Sequence, residues 1–441
     1  MNKRSEKINR VQNITIVLLS ISFVLLLTRT PLFGSRGDAL VSTMRGWLSA
    51  RQPSAAEETA ELSALAVPVR VVQTNDFIRS GSDVLTTADS AFEAPGSFLG
   101  EAVGSARSLT AVPERAFLSA LEGSGLYFEF VSALPLEILS ARLGVTTPSA
   151  QQINVRRCLL SADTAGTVHL YLQDEGGSCF RFSTAVSAVL LAAYLEAQDG
   201  GSVEFAFAMG EEYAALSPYT LVFSAQTERE ELSAANALSD YSAEELLRRA
   251  EFNPHTKDWY RGSSGTVVYI EGQRKLYLEP DGVVSYGGGA AEDGSLFSVA
   301  AADAAHPSRA ELCAAARSLI ETLAQGRTGD AALYVSGMRT EDSVCIVTFD
   351  YLVGGTPLRF SDGSHAAEVR LEGRSITAFS LRLRRYTVTE RSTPLLPPAL
   401  ACAIARNSPG SELSVAYVDS YGDSVSAGWV ADRDAGREDA A

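Results

Sequence analysis

Lysine is nearly absent from this 441-residue chain, supplying only four of its 37 basic residues. The 53 acidic residues outnumber all basic ones and leave a net charge of −16. Nucleic-acid binders neutralise phosphates with clustered Lys and Arg, and polybasic surface proteins do the same with lipid heads. The charge balance argues against both classes. Five cysteines are too few for a disulfide scaffold. No H-E-x-x-H, C-x-x-C, P-loop, G-x-S-x-G or S-x-x-K pattern occurs. Gly287-Gly288-Gly289 follows a strand pattern but opens no phosphate-binding helix.

What is present begins at the N-terminus. Residues 1–10 carry Lys3, Arg4, Lys7 and Arg10 against Glu6 alone, and Ile14 to Leu27 then run without a charge. Those residues reach only about 21 Å as a helix, whereas residues 11–33 are long enough for a hydrocarbon core of about 30 Å. Arg29 can snorkel from the far end. Basic residues ahead of the span keep the N-terminus cytoplasmic. The expected topology is therefore a cytoplasmic tail at 1–10, a transmembrane anchor at 11–33 and everything later outside the cell membrane. A cleaved signal peptide is the rival reading. It lacks a small-x-small site after Leu27, where Thr28, Arg29, Thr30 and Pro31 stand. No second apolar run of that length follows, so a single pass is expected. Asn13, Thr15, Ser20 and Ser22 are small or polar positions in the span, and they are candidate partner-binding residues. Such residues allow close helix approach or interhelical hydrogen bonds. The alternative is that Ser and Thr simply bond to their own helix backbone.

Hydrophobic residues at 46% and charged ones at 20% suit packed domains, and the length suits two or three of them. Residues 34–61, with Gly34, Gly37 and Pro53, read as a tether. An N-terminal α+β domain is expected at 62–224. Its strands are Val67–Gln73, Leu126–Val131 and the meander Ile153–Leu160, Thr167–Gln173 and Cys179–Phe182. Its helices are Pro113–Leu121, Pro135–Leu143 and Ser187–Ala197. A middle α+β domain at 225–297 opens with the capping-box pattern Ser242 to Glu245 and continues as strands Thr266–Glu271, Lys275–Glu279 and Val283–Tyr286. Asp281-Gly282 is its hairpin signal. A C-terminal domain at 298–441 repeats that order. Ser308 to Glu311 is a second capping box, and Leu312, Ala315, Leu319, Ile320 and Leu323 form an apolar face. Strands Ala331–Ser336, Ser343–Leu352, Thr356–Phe360, Ala366–Leu371 and one long Ser375–Thr387 follow. Leu395–Ala405 reads as a helix, and Leu413–Val418 and Ala427–Val430 as strands. The expected fold class is α+β: antiparallel sheets with packed helices behind one transmembrane helix, the last two domains being related.

Chemistry is sparse. His169, His255, His306 and His365 are scattered, and Glu211-Glu212 and Glu244-Glu245 are sequence neighbours that do not share a helix face. A glycosidase pair of carboxylates close in space stays open. Cys158 and Cys179 lie on strands flanking a third, about 9.6 Å apart, whereas a disulfide needs Cα atoms within ~7 Å. Buried free thiols are expected, with Cys313 and Cys402 on helix core faces. The residues point to no catalytic, cofactor or metal site and to a non-enzyme.

Several stretches carry a resemblance. They are Phe252-Asn253-Pro254, Gly265 to Glu271, Leu276 to Tyr286, Phe349-Asp350-Tyr351 before a Gly-Gly turn, Leu395-Leu396-Pro397, and Tyr417-Val418-Asp419 followed by Trp429. With the order of parts, this text resembles the YycH/YycI family, membrane-anchored accessory proteins of Gram-positive bacteria. The length is similar to the longer YycH type. The resemblance implies a partner, a sensor histidine kinase of a two-component system for cell-wall homeostasis, and a possible sister single-pass regulator beside it. Its mode would be transmembrane and outer-domain contact. The alternatives are an anchored extracytoplasmic binding or assembly module, and a cell-wall-acting hydrolase.

Overall fold

The computed structural model describes residues 66–433 except 76–77, 83, 147–152, 199–200, 225–227, 289–295, 302–305 and 408. These residues fall in one unit, Ser54–Ala441. The expected tail, anchor and tether, with Asn13, Thr15, Ser20 and Ser22, lie outside the described residues. Among the described residues no helix is long and apolar enough to cross a membrane. The described fold is α+β and mostly antiparallel.

The first sheet holds β1 (Pro68–Asn75), β2 (Ile78–Gly81), β3 (Leu85–Thr86), β4 (Arg107–Val112), β5 (Gly125–Pro135), β6 (Asn154–Ala162), β7 (Val168–Asp174) and β8 (Cys179–Ser183). Their order is β2-β1-β5-β6-β7-β8-β4, with β3 beside β1. The β6–β7–β8 meander matches its hydrophobic pattern. Helices α1 (Glu93–Ser105), α2 (Glu114–Glu122), α3 (Leu136–Arg142) and α4 (Ala188–Glu196) accompany this sheet. Pro135 and Ser187 sit at the N-caps of α3 and α4. The Ser187 hydroxyl accepts the Leu190 amide, which satisfies one orphan donor. The sequence reading has no element at α1, whose glycines and Pro95 weaken any helical pattern. Burial of Leu99, Ala102 and Val103 overrides that weakness. A short hairpin, β9 (Val203–Phe205) with β10 (Leu221–Phe223), follows.

β11 (Glu228–Asn236) precedes α5 (Ala243–Arg249), β12 (Trp259–Arg261), β13 (Val267–Glu271), β14 (Arg274–Leu278), β15 (Val283–Gly287) and α6 (Arg309–Ala324). Then come β16 (Ala331–Glu341), β17 (Val344–Val353), β18 (Thr356–Phe360), β19 (Ala367–Glu372), β20 (Ser375–Arg382), β21 (Arg384–Pro394), α7 (Pro398–Ala405), β22 (Ser411–Asp419), β23 (Ser424–Val425) and β24 (Ala427–Arg433). One large sheet runs β12-β13-β14-β15-β20-β19-β17-β18-β22-β24, with β16 beside β17. It is continuous across residues 297 and 298 because β15 pairs with β20, Val284 opposite Leu381. A three-stranded sheet, β21-β11-β23, lies beside it. The two helices touch: Tyr241, just before α5, donates its hydroxyl to the Leu323 carbonyl of α6 at 2.6 Å.

Three details depart from expectation. The long strand Ser375–Thr387 is two strands in two sheets. The chain leaves the large sheet at Leu383, whose amide donates to Gly282 and whose carbonyl accepts from Ala237. Backbone pairing with two different partners divides one apolar run. The core face of α6 is Cys313, Ala316, Leu319, Ile320 and Leu323, while Leu312 and Ala315 are only half-buried. The Ser308–Glu311 capping box is complete, but the Ser242 box is half made: Glu245 turns its carboxylate to Arg249 at 2.9 Å and Arg327 at 3.3 Å.

All five cysteines are buried free thiols. Cys158 pairs with Leu172 and Cys179 with Gln173, so β7 separates them.

Gly329, between α6 and β16, has φ +69°, and a Cβ there would meet the Tyr386 carbonyl at 2.1 Å. The next amide, Asp330, donates to that same carbonyl at 2.8 Å. Gly329→Ala is expected to destabilise by about 2 kcal/mol or more, from left-handed strain plus a backbone clash. Gly354→Ala, also at positive φ but in open space, should cost about 1 kcal/mol. Urea unfolding of the two variants checks the difference.

Candidate functional site

Charges interrupt apolar strands at three places: Arg70 within Val67–Val72, Glu129 within Leu126–Val131, and the Arg156-Arg157 pair before Cys158-Leu159-Leu160. Strand register brings them into one row. Arg70 lies opposite Glu129, Glu129 opposite Arg157, and Arg157 opposite Gln173. On the next row Val72, Tyr127, Leu159 and Tyr171 stand in line. The charges cannot reach water, and Arg157 and Glu129 are each 1% exposed. They must therefore satisfy one another.

Arg70 Nη1 donates to Glu129 Oε2 at 3.2 Å, and Arg157 Nε donates to Glu129 Oε1 at 3.2 Å. Arg157 Nη1 donates to Gln173 Oε1 at 2.8 Å. Gln173 in turn donates to the Tyr219 hydroxyl at 3.1 Å, and the Arg157 guanidinium lies 4.3 Å from the Tyr219 ring centroid. Glu412 on β22 completes the cluster. It accepts from Arg157 Nη2, and from Arg156 Nη2 at 3.3 Å. One buried network thus joins the first sheet to the large one.

Two carboxylates so close cannot ionise equally. Burial, then the Glu412 charge, pushes Glu129 up to about 7. Burial also opposes ionisation of Glu412, but Arg157 and Arg156 overcome it and hold Glu412 well below the usual carboxylate range. Of the two, Glu129 is the first to take up a proton as pH falls.

Above this cluster opens a cleft of about 760 Å³. It arises where β5 parts from β6: their register shifts between Glu129 and Leu134. There β5 lies against β16 instead. Arg156, Glu412, Tyr334, Asp350, Arg359 and His365 line the cleft. Arg359 is paired with Asp432. His365 Nδ1 stands 3.0 Å from Asp350 Oδ2, while Asp350 Oδ1 accepts the Ala366 amide at 3.1 Å. The Asp350 bond raises the imidazole above its ordinary 6.5 against partial burial. Ser336 Oγ also faces Nδ1, at 3.5 Å. A nucleophilic relay needs serine and carboxylate on opposite ring nitrogens. Here both are on one, so the trio holds His365 in place and does not activate Ser336.

Of the four histidines, only His365 comes to the cleft. His169 bonds to Asp163 at 3.0 Å elsewhere, and His255 is exposed beside Glu244. The adjacent acids Glu244 and Glu245 do not converge on a site. No group of three or more His, Cys, Asp or Glu among the described residues is arranged to hold a metal. Sequence reasoning passed over Arg70, Glu129, Arg157 and Glu412. For Arg70 and Glu129 the available signal was an isolated charge at an inward position of an apolar strand.

No family model matches this chain, and no curated protein matches it in sequence. Among solved structures, YycH from Bacillus subtilis is similar, with a TM-score of 0.53 and 12% identity. The likeness covers 85% of this chain and 95% of that one. At that identity it is a likeness of fold: the chain has a YycH-like fold.

Two outcomes are expected. The Glu412→Gln variant, leaving Arg157 and Arg156 short of a counter-charge, should lose about 3–5 kcal/mol in urea unfolding at pH 7. Glu129 has the opposite sign. Its folded-state value is raised, so its contribution is fully present below the ordinary value of 4.5 and is lost as pH rises through about 7. The Glu129→Gln variant should therefore flatten stability against pH between those limits. Separately, NMR titration of His365 should give a midpoint above 6.5 that falls in Asp350→Asn.

Proposed function

We propose that this chain is a single-pass membrane accessory protein that modulates a two-component sensor histidine kinase in cell-wall homeostasis. The observation that carries the reading is the YycH-like fold over 85% of the chain. The local text from Phe252 to Tyr286 and from Phe349 to Trp429, together with the basic and apolar N-terminus, supports it. In this reading the anchor at 11–33 lies in the cell membrane, the N-terminus is cytoplasmic and the folded part is outside. Asn13, Thr15, Ser20 and Ser22 meet the kinase, or a sister single-pass protein. The chain acts without catalysis of its own, which the unrelayed geometry at His365 supports. To shift the kinase it must bind one kinase state more tightly than the other. A tenfold shift needs only about 1.4 kcal/mol of preference, well within what a few interhelical contacts supply.

A second reading, an anchored binding or assembly module, is favoured by the arginine-floored cleft. A cell-wall hydrolase has less support, because the carboxylates that do come together, Glu129 and Glu412, are clamped by arginines.

Replacing residues 11–33 with an unrelated apolar helix separates the readings. The regulator should lose most of its effect on a kinase-dependent reporter at equal protein level. Photo-crosslinking from Thr15, Ser20 and Ser22 should capture a sensor kinase or a sister single-pass protein. Unchanged reporter output, with only lipid captured and no outer-domain contact with the kinase, would sink the regulator reading.

A further inference from the structure

The floor of the cleft has more donors than the protein itself uses. A cavity of about 10 Å³ lies there, lined by Arg70, Glu129, Val131, Arg156, Pro357, Arg359, Glu412 and Ser414. It shares Val131, Arg156, Arg359 and Glu412 with the cleft, so the cavity adjoins the cleft floor. Three donors on its lining residues are buried and unpaired: Arg70 Nε, Arg156 Nη1 and Ser414 Oγ. Arg70 is itself 7% exposed. Buried unpaired donors on charged groups are costly, and an acceptor placed among them relieves that cost.

The charge count points the same way. Arg70, Arg156 and Arg157 face Glu129 and Glu412, while Arg359 is neutralised by Asp432. Three guanidiniums against two carboxylates leave at least one positive charge over, and a proton on Glu129 adds to that excess. We infer that the cleft binds an organic molecule bearing a single carboxylate, one oxygen of which enters the floor cavity between Arg70, Arg156 and Ser414.

The physical fit is specific. A cavity of this size admits about one oxygen-sized group, so the rest of the ligand must lie in the cleft. The cleft is of ordinary size for a small-molecule or short-peptide site. A phosphate dianion matches poorly, because its further charged oxygens would face Asp350 and Glu175 on the same walls. Planar guanidinium groups also suit a planar carboxylate. Ala133, Phe360, Val418 and Val430 offer the body of the ligand apolar contact. The carboxylate belongs either to a peptide C-terminus or to a free organic acid. This inference does not depend on the kinase reading.

The test uses the full-length protein in detergent and ligand-observed fluorine NMR. The probes are fluorinated aryl carboxylates and fluorinated N-acyl dipeptides, each paired with its primary amide. Carboxylates should bind and their amides should not. Binding should weaken about tenfold or more in Arg156→Gln, which removes a charge-assisted partner, and should largely return in Arg156→Lys. The Ser361→Trp variant, at an exposed position on the cleft wall, should block the probes without touching the floor, and its thermal melt should match the parent. Dipeptide acids outcompeting aryl acids would assign the ligand to a peptide end, and the reverse to a free acid. The inference is overturned if amides bind as well as acids, if the variants leave binding unchanged, or if no acid binds. It is equally overturned if sodium chloride at low millimolar concentration displaces every acid, since the floor would then be a simple halide site.

Discussion

The structure depends on Arg157. Its guanidinium is almost fully buried, and it reaches Glu129, Gln173 and Glu412, the last of these 255 residues along the chain. A charge in that position has no solvent to fall back on, so every partner must be in place before burial is tolerable. Networks of this kind contribute little net stability over an apolar core, but a half-made one is strongly unfavourable. The consequence is positional. β22 can dock on the first sheet only where Glu412 meets Arg156 and Arg157, and that docking sets the floor and one wall of the cleft.

The cleft follows from a local irregularity. If β5 and β6 stayed paired along their whole length, the space beside Arg156 would be closed by the sheet. The β5–β6 register shifts after Glu129, β5 also lies against β16, and side chains from both sheets face a common opening. His365 sits on that rim with its ring fixed by Asp350. A molecule bound there and touching both sheets would change how firmly they are held together.

Much of the fold was readable from pattern because the signals were local. The β6–β7–β8 meander, the complete capping box at Ser308, the Pro135 start of α3 and the Asp281-Gly282 turn each rest on residues within a few positions of one another. α1 was not readable, since Gly96, Gly100, Gly104 and Pro95 oppose a helix that only tertiary burial of Leu99 and Val103 maintains. The break at Leu383 was equally hidden, because two separate sheets compete for one continuous apolar run. For the candidate site, His365 and Asp350 were visible as residues but not as a pair. Arg70 and Glu129 carried a weak signal, each being a lone charge in a hydrophobic strand, and Arg157 carried less because Arg156 stands beside it.

By itself the sequence determined the apolar N-terminal segment, the acidic balance, the strand and helix periodicities and the local text that resembles one family. Each depends on composition or on near neighbours, where side-chain alternation and backbone capping act. Only the tertiary structure decided that the middle and C-terminal strands share one sheet through β15 and β20, that Glu412 clamps the first sheet, and that three donors are left unpaired beneath a cleft. Those outcomes depend on strand register and on desolvation between residues far apart in the chain. A one-residue slip would move every charge in the row to the opposite face, and periodicity alone does not say which strands will be neighbours.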